Sequence, residues 1–196
     1  MDSALENNKG KGMNFNWQLA KSADFAEFNN WHEFLLDKFG EQNAFTNYLT
    51  SPDILIGDLI EAVSTPIKKQ TNILTRCFTA SLNSEVVGFV LVTQKENNID
   101  IEVLAVKPTI QAKGIGTAMI FDLVKNREQI LGFNAESFTS QIHDSNSPSK
   151  KVFKRNGFSN IDSKPGVKEA FMQYRLLTTH VTNKEKVDKS IYSPTK

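Results

Sequence analysis

Two glycines, Gly114 and Gly116, lie one residue apart where an apolar segment ends and a helical pattern begins, in the stretch LAVKPTIQAKGIGTAMI. Glycine allows a ligand to approach bare backbone, and the first amides of a helix have no partners of their own. The positive end of the helix dipole favours an anion at the same place. The turn is therefore predicted to bind a phosphate group.

Spacing separates this turn from two other phosphate-binding turns. A P-loop has a lysine and then a serine or threonine directly after its last glycine, whereas Lys113 precedes Gly114. A dinucleotide-binding fingerprint has a third glycine at the position that Met119 occupies. Neither pattern fits.

Hydrophobic periodicity predicts the elements that position the turn. Three apolar segments, ILTRCFTASL, EVVGFVLVTQ and IDIEVLAV, are separated by the polar turns NS and KENN, which predicts an antiparallel meander, and the alternating FNWQLA predicts a strand before them. The later pattern predicts a helix over 114–130, a strand over 135–140, a helix over 148–156, and strands over 158–163 and 169–176. Two earlier helices are predicted, ADFAEFNNWHEFLLDKF and one beginning near Ser51. This order is typical of a mixed α/β fold, in which a meander is followed by a strand-helix-strand crossover.

Two motifs resemble motifs of the GNAT superfamily of N-acyltransferases. They occur in the order and at the separation that this family uses. QAKGIGTA is similar to its acyl-CoA pyrophosphate loop, Q/R-x-x-G-x-G/A. NSPSKKVFKRNGF is similar to a second family motif, in which an Asn precedes a small residue, an aromatic residue and a Gly-Phe pair. The matching residues are Asn146, Ser149, Phe153, Gly157 and Phe158. The resemblance covers about residues 15–177 and implies a GNAT-like fold with a mixed sheet and helices on both of its faces.

The resemblance implies acetyl-CoA as the co-substrate. In the family, the backbone of the fourth strand pairs with the pantetheine arm, and the loop amides hold the pyrophosphate. The fourth and fifth strands are expected to splay apart after LAV, which would leave the amide of Leu104 or Val106 free to polarise the thioester carbonyl. The implied binding residues are Leu104, Ala105, Val106, Gln111, Ala112, Lys113, Gly114, Ile115, Gly116, Thr117, Asn146, Ser149 and Phe153.

Acetyl transfer to an amine is helped by a base, because a free alkylamine has a pKa of about 10 and is mostly protonated at neutral pH. Strand alternation predicts that Asp100 and Glu102 share one face with Leu104 and Val106. Members of the family place a base at either acidic position, so both remain candidates. Glu102 is slightly favoured because Asp100 adjoins the ENN turn. The alternative is that the two acids belong to a solvated strand face.

Phe153 departs from the family pattern. Many members have a tyrosine there, whose hydroxyl is thought to protonate the departing CoA thiolate, and phenylalanine cannot donate that proton. A thiol has a pKa of about 8.5, so the thiolate is a tolerable leaving group, and Ser149, Tyr174 or water would substitute.

The function implied is an acetyl-CoA-dependent N-acetyltransferase. It would act on a primary amine of a small molecule or peptide, by direct attack in a ternary complex. One alternative is a catalytically silent CoA-binding regulatory domain, for which Phe153 is the motivating residue. The other is a plain α/β protein with an accidental glycine turn.

Composition and charge limit the classes of partner that the sequence predicts. Lys and Arg total 23 against 22 Asp and Glu, without a long run of like charge, so no nucleic-acid partner is predicted. No apolar segment is long enough for a signal peptide or a membrane span, which predicts a cytoplasmic protein without a membrane partner. The three histidines lack metal-ligand spacing, so no metal is assigned. The single cysteine, Cys77, is expected to be buried and inert.

The chain is predicted to contain one folded unit. We expect a flexible polar leader over residues 1–14, a single acyl-CoA N-acyltransferase domain over 15–177, and a mobile polar tail over 178–196. Members of the family often dimerise through their C-terminal strands, and EAFMQYRL is apolar enough to allow a homodimer.

Overall fold

The structure is a computed structural model that describes residues 13–21, 23–24, 73–144, 146–161 and 171–178. Nearly all of both helices predicted before residue 73 lies outside these residues, as do nearly all of the leader and the tail. The described strands form one seven-stranded sheet in the order β1-β2-β3-β4-β5-β7-β6. They are β1 Asn16–Leu19, β2 Ile73–Leu82, β3 Glu85–Lys95, β4 Asn98–Val106, β5 Ser137–His143, β6 Ser159–Asn160 and β7 Phe171–Leu177.

The predicted meander is confirmed in strands β1 to β4, which pair antiparallel with their sequence neighbours. The turn between β2 and β3 has only two residues, Asn83 and Ser84, with φ of +50° and +68°. Positive φ at both positions is the geometry of the type I′ turn, which matches the twist of a hairpin. The polar dipeptide therefore sets the register of β2 on β3.

The crossover begins after β4, which is parallel to β5 and so needs a long connection. That connection contains a 3-10 turn, Pro108–Ile110, and two helices, α1 Ile115–Lys125 and α2 Arg127–Leu131. The single helix predicted over 114–130 is wrong at Asn126, where φ is −102° and the helix breaks. The Arg127 side chain donates to the carbonyl of Val124 at 3.0 Å and so satisfies one carbonyl at the end of α1, while the Asn126 side chain donates to Asp122 Oδ1 at 2.7 Å.

Three later elements differ from their predicted bounds. Strand β5 begins at Ser137 and extends to His143, rather than covering 135–140. Of the strand predicted over 158–163, residues 162–163 lie outside the described residues, and within these β6 covers Ser159–Asn160. The following helix, α3 Ser147–Arg155, is displaced by one residue from the predicted 148–156, and it is capped by Asn146, whose Oδ1 accepts from the amide of Ser149 at 3.1 Å.

The main core lies between the sheet and the two longer helices. Met119, Ile120 and Leu123 of α1 have no exposed surface, and Phe153 of α3 is 3% exposed. They pack against one face of the sheet, which includes Val90 and Val92 of β3, so α1 and α3 share that face. A smaller cluster on the opposite face contains Cys77, Phe89, Leu91 and Val103.

Candidate active site

Strands β4 and β5 open into a gap within the sheet. Their ladder contains three pairs only, from Asn98–Ser137 to Asp100–Thr139. Beyond it, the hydroxyl of Ser140 donates to the carbonyl of Ile101 at 2.9 Å, where a backbone bond would otherwise continue the ladder. The divergence therefore begins at Ile101, before the LAV segment rather than after it as the resemblance implied.

A β-bulge at Glu102 accompanies this opening. Ile101 pairs with Val92 and Val103 pairs with Leu91, so Glu102 is the extra residue of β4. An extra residue bends the strand and increases its twist, which accounts for the early divergence of β4 from β5.

The bulge also reverses the side-chain alternation along β4. Leu104 and Val106 pack against the core cluster beneath α1, together with Ile101, whereas Val103 and Ala105 pack in the cluster on the opposite face. The prediction that the two acids share a face with Leu104 and Val106 is wrong, because one inserted residue moves every later side chain to the other face.

The two acids lie on the face opposite α1. Glu102 is exposed and accepts a hydrogen bond from the hydroxyl of Thr93, a residue of the same face as Leu91. Asp100 is half-buried, and its Oδ1 accepts from the hydroxyl of Thr139 at 3.1 Å. The described partner of Glu102 is therefore a hydroxyl, and its side chain reaches solvent.

The backbone of the LAV segment presents alternate amides to the gap. The amide of Lys107 donates to the carbonyl of Val87 in β3 at 2.9 Å, so the amides of Lys107 and Ala105 point toward β3. The amides of Leu104 and Val106 must then point toward the gap between β4 and β5. The carbonyl of Val106 accepts from the side chain of Gln111 at 3.0 Å, which agrees with this direction.

The glycine turn itself forms a cradle of main-chain donors. Gly114 is the N-cap of α1, with φ of +84° that only glycine adopts without strain, and Ala112 also has a positive φ, +61°. The N-cap has no side-chain hydrogen bond. In the described part of the chain, the amides of residues 113–117 have no hydrogen-bond acceptor, and the first one bound within the helix belongs to Ala118, which donates to the carbonyl of Gly114 at 3.0 Å.

The cradle lies directly against β4. A Cβ at Gly116 would lie 3.4 Å from Val106 Cγ2 and 3.7 Å from Leu104 Cδ2, so the start of α1 is in close contact with the LAV segment. The Lys113 side chain is exposed, whereas Ile115 is 8% exposed and packs in the core, so only its amide faces outward. These donors fit an anion such as a diphosphate.

The candidate residues at the start of α3 and within it differ in how much of each side chain a ligand could reach. Asn146 is engaged as the helix cap, and Ser149 is half-buried beside it. Phe153 is 3% exposed, with its ring centroid 5.0 Å from that of Phe158 in an edge-to-face contact. Its ring therefore offers almost no surface to a ligand. Tyr174 on β7 is 1% exposed and belongs to the same core.

Sequence reasoning missed the role of Asn156. Its side-chain amide donates to the carbonyl of Thr117 in α1 at 3.1 Å and to that of Val152 at 2.9 Å. The end of α3 is thereby attached to the first turn of α1, which carries the unpartnered amides. The only signal in the sequence was the N-G pair, which indicates a helix end and gives no information about a contact with another helix.

The remaining titratable groups do not extend the site. Burial, and secondarily the negative charge of Asp24, raises the pKa of the Cys77 thiol to about 12, so it is neutral and unreactive as expected. The described residues contain no group of three His, Cys, Asp or Glu side chains that would hold a metal ion. None of the helices described here is long and apolar enough to cross a bilayer.

Comparisons with known proteins agree with the fold. The family "Acetyltransferase (GNAT) family" matches residues 41–158. The PaiA N-acetyltransferase of Thermoplasma acidophilum, solved with coenzyme A, has 16% sequence identity and a TM-score of 0.58, covering 84% of this chain and 99% of that one. The ribosomal-protein-S18-alanine N-acetyltransferase of Escherichia coli has 13% identity and a TM-score of 0.56, over 84% and 94% of the two chains.

A chimera of the Vibrio cholerae spermidine N-acetyltransferase SpeG and hSSAT has 13% identity and a TM-score of 0.57, over 86% of this chain and 98% of that one. No curated protein is similar enough in sequence to be matched. At these identities the structural likeness concerns the fold, and it confirms the mixed α/β architecture predicted from the sequence.

Proposed function

From the premise that this chain belongs to the acetyltransferase (GNAT) family, whose acyl donor is acetyl-CoA, we propose that it acetylates a primary amine by direct attack in a ternary complex. One observation carries the proposal. The amides of residues 113–117 lack acceptors in the described structure and stand beside the edge of β4 that β5 has left. A diphosphate and an extended arm require these two features side by side.

The binding residues divide by the part of acetyl-CoA that they would hold. The LAV segment of β4 would pair with the pantetheine arm as an added strand does, through the backbone of Leu104 and Val106, whereas Ala105 between them faces β3. The diphosphate would lie on the turn formed by Gln111, Ala112, Lys113, Gly114, Ile115, Gly116 and Thr117. Within the turn, the Gln111 side chain orients the Val106 carbonyl rather than the ligand. Asn146 and Ser149 would support the site from the start of α3, and Phe153 would act only through the core.

The gap between β4 and β5 would hold the reacting centre. Acetyl-CoA supplies an activated acyl carbon when it is bound there. The amide of Leu104 or Val106, aimed into the gap, would stabilise the negative charge that develops on the thioester oxygen. Glu102 would take a proton from the amine, directly or through water, because its carboxylate is exposed at the strand position where pairing with β5 has already ended. Asp100 is the alternative base.

The departing thiolate would have no tyrosine to protonate it. Phe153 lacks a hydroxyl, and Tyr174 is 1% exposed in the core. A thiol with a pKa of about 8.5 leaves without obligatory protonation. Ser149, half-buried at the start of α3, or water would supply the proton afterwards.

The acceptor is proposed as a class only. Two proteins of this fold are named for different amines, spermidine in one and an alanine of ribosomal protein S18 in the other. Both acceptors are amines, which supports a primary amine of a small molecule or peptide and does not favour either.

The test is thiol release from acetyl-CoA across a panel of polyamines, amino acids and peptides, together with titration of the protein with acetyl-CoA by calorimetry. We expect saturable binding and amine-dependent thiol release that Glu102→Gln lowers by about 100-fold or more, the usual contribution of a general base. A protein that binds acetyl-CoA but acetylates no amine would be the regulatory domain, which the absence of the hydroxyl at Phe153 favours. A protein that does not bind acetyl-CoA would overturn both proposals.

We further propose that residues 15–177 form one acyltransferase domain, which acts in the cytoplasm without nucleic-acid or membrane partners. The continuous sheet from β1 to β7 supports a single domain. A homodimer is proposed through β7, whose Phe171 and Leu177 are 40% and 42% exposed. Light scattering of the native protein at several concentrations tests the dimer, and a constant monomer mass would exclude it.

A further inference from the structure

Glu102 is attached to a chain of two threonine hydroxyls. Thr93 is bonded both to Glu102 Oε1 and to the hydroxyl of Thr75, the latter at 2.8 Å. An ionised carboxylate can only accept, so Thr93 must give its single proton to Glu102. Thr75 must then donate to Thr93. The chain therefore has one direction, from β2 through β3 to the acid on β4.

Asp100 belongs to a separate chain with an equally defined direction. Ser137 donates to Asn98 Oδ1 at 2.8 Å, and the Asn98 amide nitrogen donates to Thr139 at 3.1 Å. Thr139 has then only its own proton left, which it donates to Asp100 at 3.1 Å. These residues form the first and last of the three pairs of the β4–β5 ladder, so this chain clamps the paired part of the two strands.

The position of each acid separates their roles. Asp100 is half-buried in the last pair of the ladder, whereas Glu102 is exposed on the bulge, next to the gap. We propose that Thr93 is the positioning residue of the base Glu102, with Thr75 orienting the Thr93 hydroxyl, and that Asp100 with Thr139 is a clamp. This proposal rests on the proposed acetyltransferase function and assigns its base.

A positioning residue is needed because of the geometry of the acid. A glutamate on an exposed bulge has a long side chain with several rotamers, whereas Thr93 is 4% exposed and β-branched, with a restricted χ1. The bond to Oε1 holds the carboxylate against β3 and leaves Oε2 to receive the proton of the amine. Without the bond, the Glu102 carboxylate would sample several orientations, which lowers turnover without affecting the phosphate cradle on the other face.

The experiment compares steady-state kinetics of variants of the full chain, with the best amine from the panel. Thr93→Val removes the hydroxyl and keeps the shape, so we expect kcat to fall about 10-fold, a part of the effect of losing the base. The KM for acetyl-CoA should stay within about twofold, and Thr93→Ser should restore most of kcat. The matched control is Thr79→Val, since Thr79 is also buried and its hydroxyl donates to the Gln18 carbonyl on β1, and it should leave kcat unchanged.

A double-mutant cycle separates positioning from structure. Thr93→Val should have no further effect in a Glu102→Gln background, because the bond serves only that carboxylate. An equal loss in both backgrounds, or a Thr93→Val enzyme with wild-type kcat, would overturn the proposal while leaving the transferase function intact. If Thr139→Val lowers kcat more than Thr93→Val does, and has no further effect in an Asp100→Asn background, the base is Asp100 rather than Glu102. Wild-type protein that acetylates no amine would overturn the function and this proposal together.

Discussion

Gly88 on β3 should be far less tolerant of alanine than Gly116 in the turn. Gly88 pairs with Ala80 and Val106, and a Cβ there would lie 2.5 Å from the carbonyl oxygen of Ala105 and 2.7 Å from the side chain of Met119. The Met119 thioether is flexible, but the carbonyl belongs to the backbone of the neighbouring strand. Relief of that contact therefore requires movement of β4.

The expected cost follows from these distances. Overpacking a core usually costs about 1–3 kcal/mol, and a clash with backbone belongs at the upper end. Replacing glycine also restricts the unfolded chain, which offsets about 0.4–1 kcal/mol. A net loss of about 2 kcal/mol corresponds to a decrease in Tm of about 4–8 °C for a chain of this length. Because the displaced carbonyl is in the LAV segment, the affinity for acetyl-CoA should fall as well.

The measurement is thermal and urea unfolding of Gly88→Ala, with Gly116→Ala as the matched control. A Cβ at Gly116 would meet no atom closer than 3.4 Å, which is ordinary van der Waals contact, so its Tm should equal or exceed that of the wild type. Equal Tm values for Gly88→Ala and the wild type, or an equal decrease in both variants, would refute the reasoning from close contact.

Three further outcomes follow from single contacts. Because burial raises the pKa of Cys77 to about 12, a thiol reagent at pH 9 should label the folded protein about 1000-fold more slowly than the urea-unfolded one, and comparable rates would contradict this. Asn156→Ala should lower the free energy of unfolding by about 1–2 kcal/mol and weaken acetyl-CoA binding several-fold. Unchanged binding would show that Asn156 does not support the phosphate cradle. Trp17→Phe, which removes the 2.7 Å bond to Asp122, should lower Tm by about 2–4 °C, and an unchanged Tm would show that the bond is replaced by water.

The meander was predictable because each of its signals is local. In β2 and β3, apolar residues alternate with polar ones or follow one another over ten or more residues, and a two-residue turn separates the strands. Periodicity and turn chemistry therefore both predict a hairpin. The break at Asn126 was not predictable, because it depends on Asp122 and Arg127 supplying side-chain bonds that compete with the helix. Within the described residues, β6 is shorter than predicted, and the apolar residues that flank it differ in burial, since Phe158 lies in the core and Ile161 is 47% exposed.

For the candidate site, the residues predicted from the sequence stay a prediction, and the side-chain directions predicted along β4 were wrong. The conformation of the turn was predictable at Gly114, whose positive φ of +84° suits a residue without a side chain, whereas a Cβ at Gly116 would make only ordinary contact with Val106 at 3.4 Å. The bulge at Glu102 has no signal in the sequence, because it is defined by pairing with β3. The hydroxyl donors of the two acids were missed for the same reason, since Thr93 and Thr139 belong to other strands and meet β4 only through the register of the sheet.

The bulge in β4 determines where both parts of the proposed site lie, the phosphate cradle and the two acids. Up to Ile101, the side chains of β4 that face α1 are the odd-numbered ones, and from Leu104 they are the even-numbered ones. Without the extra residue, Leu104 and Val106 would turn away from α1, and the surface beside Gly116 would be lined by other side chains. With it, the acids remain on the face opposite the phosphate cradle, while the strand edge between them opens toward β5. An acyl donor on the α1 side and an amine on the other would therefore meet only at the gap, where neither has to pass through the core.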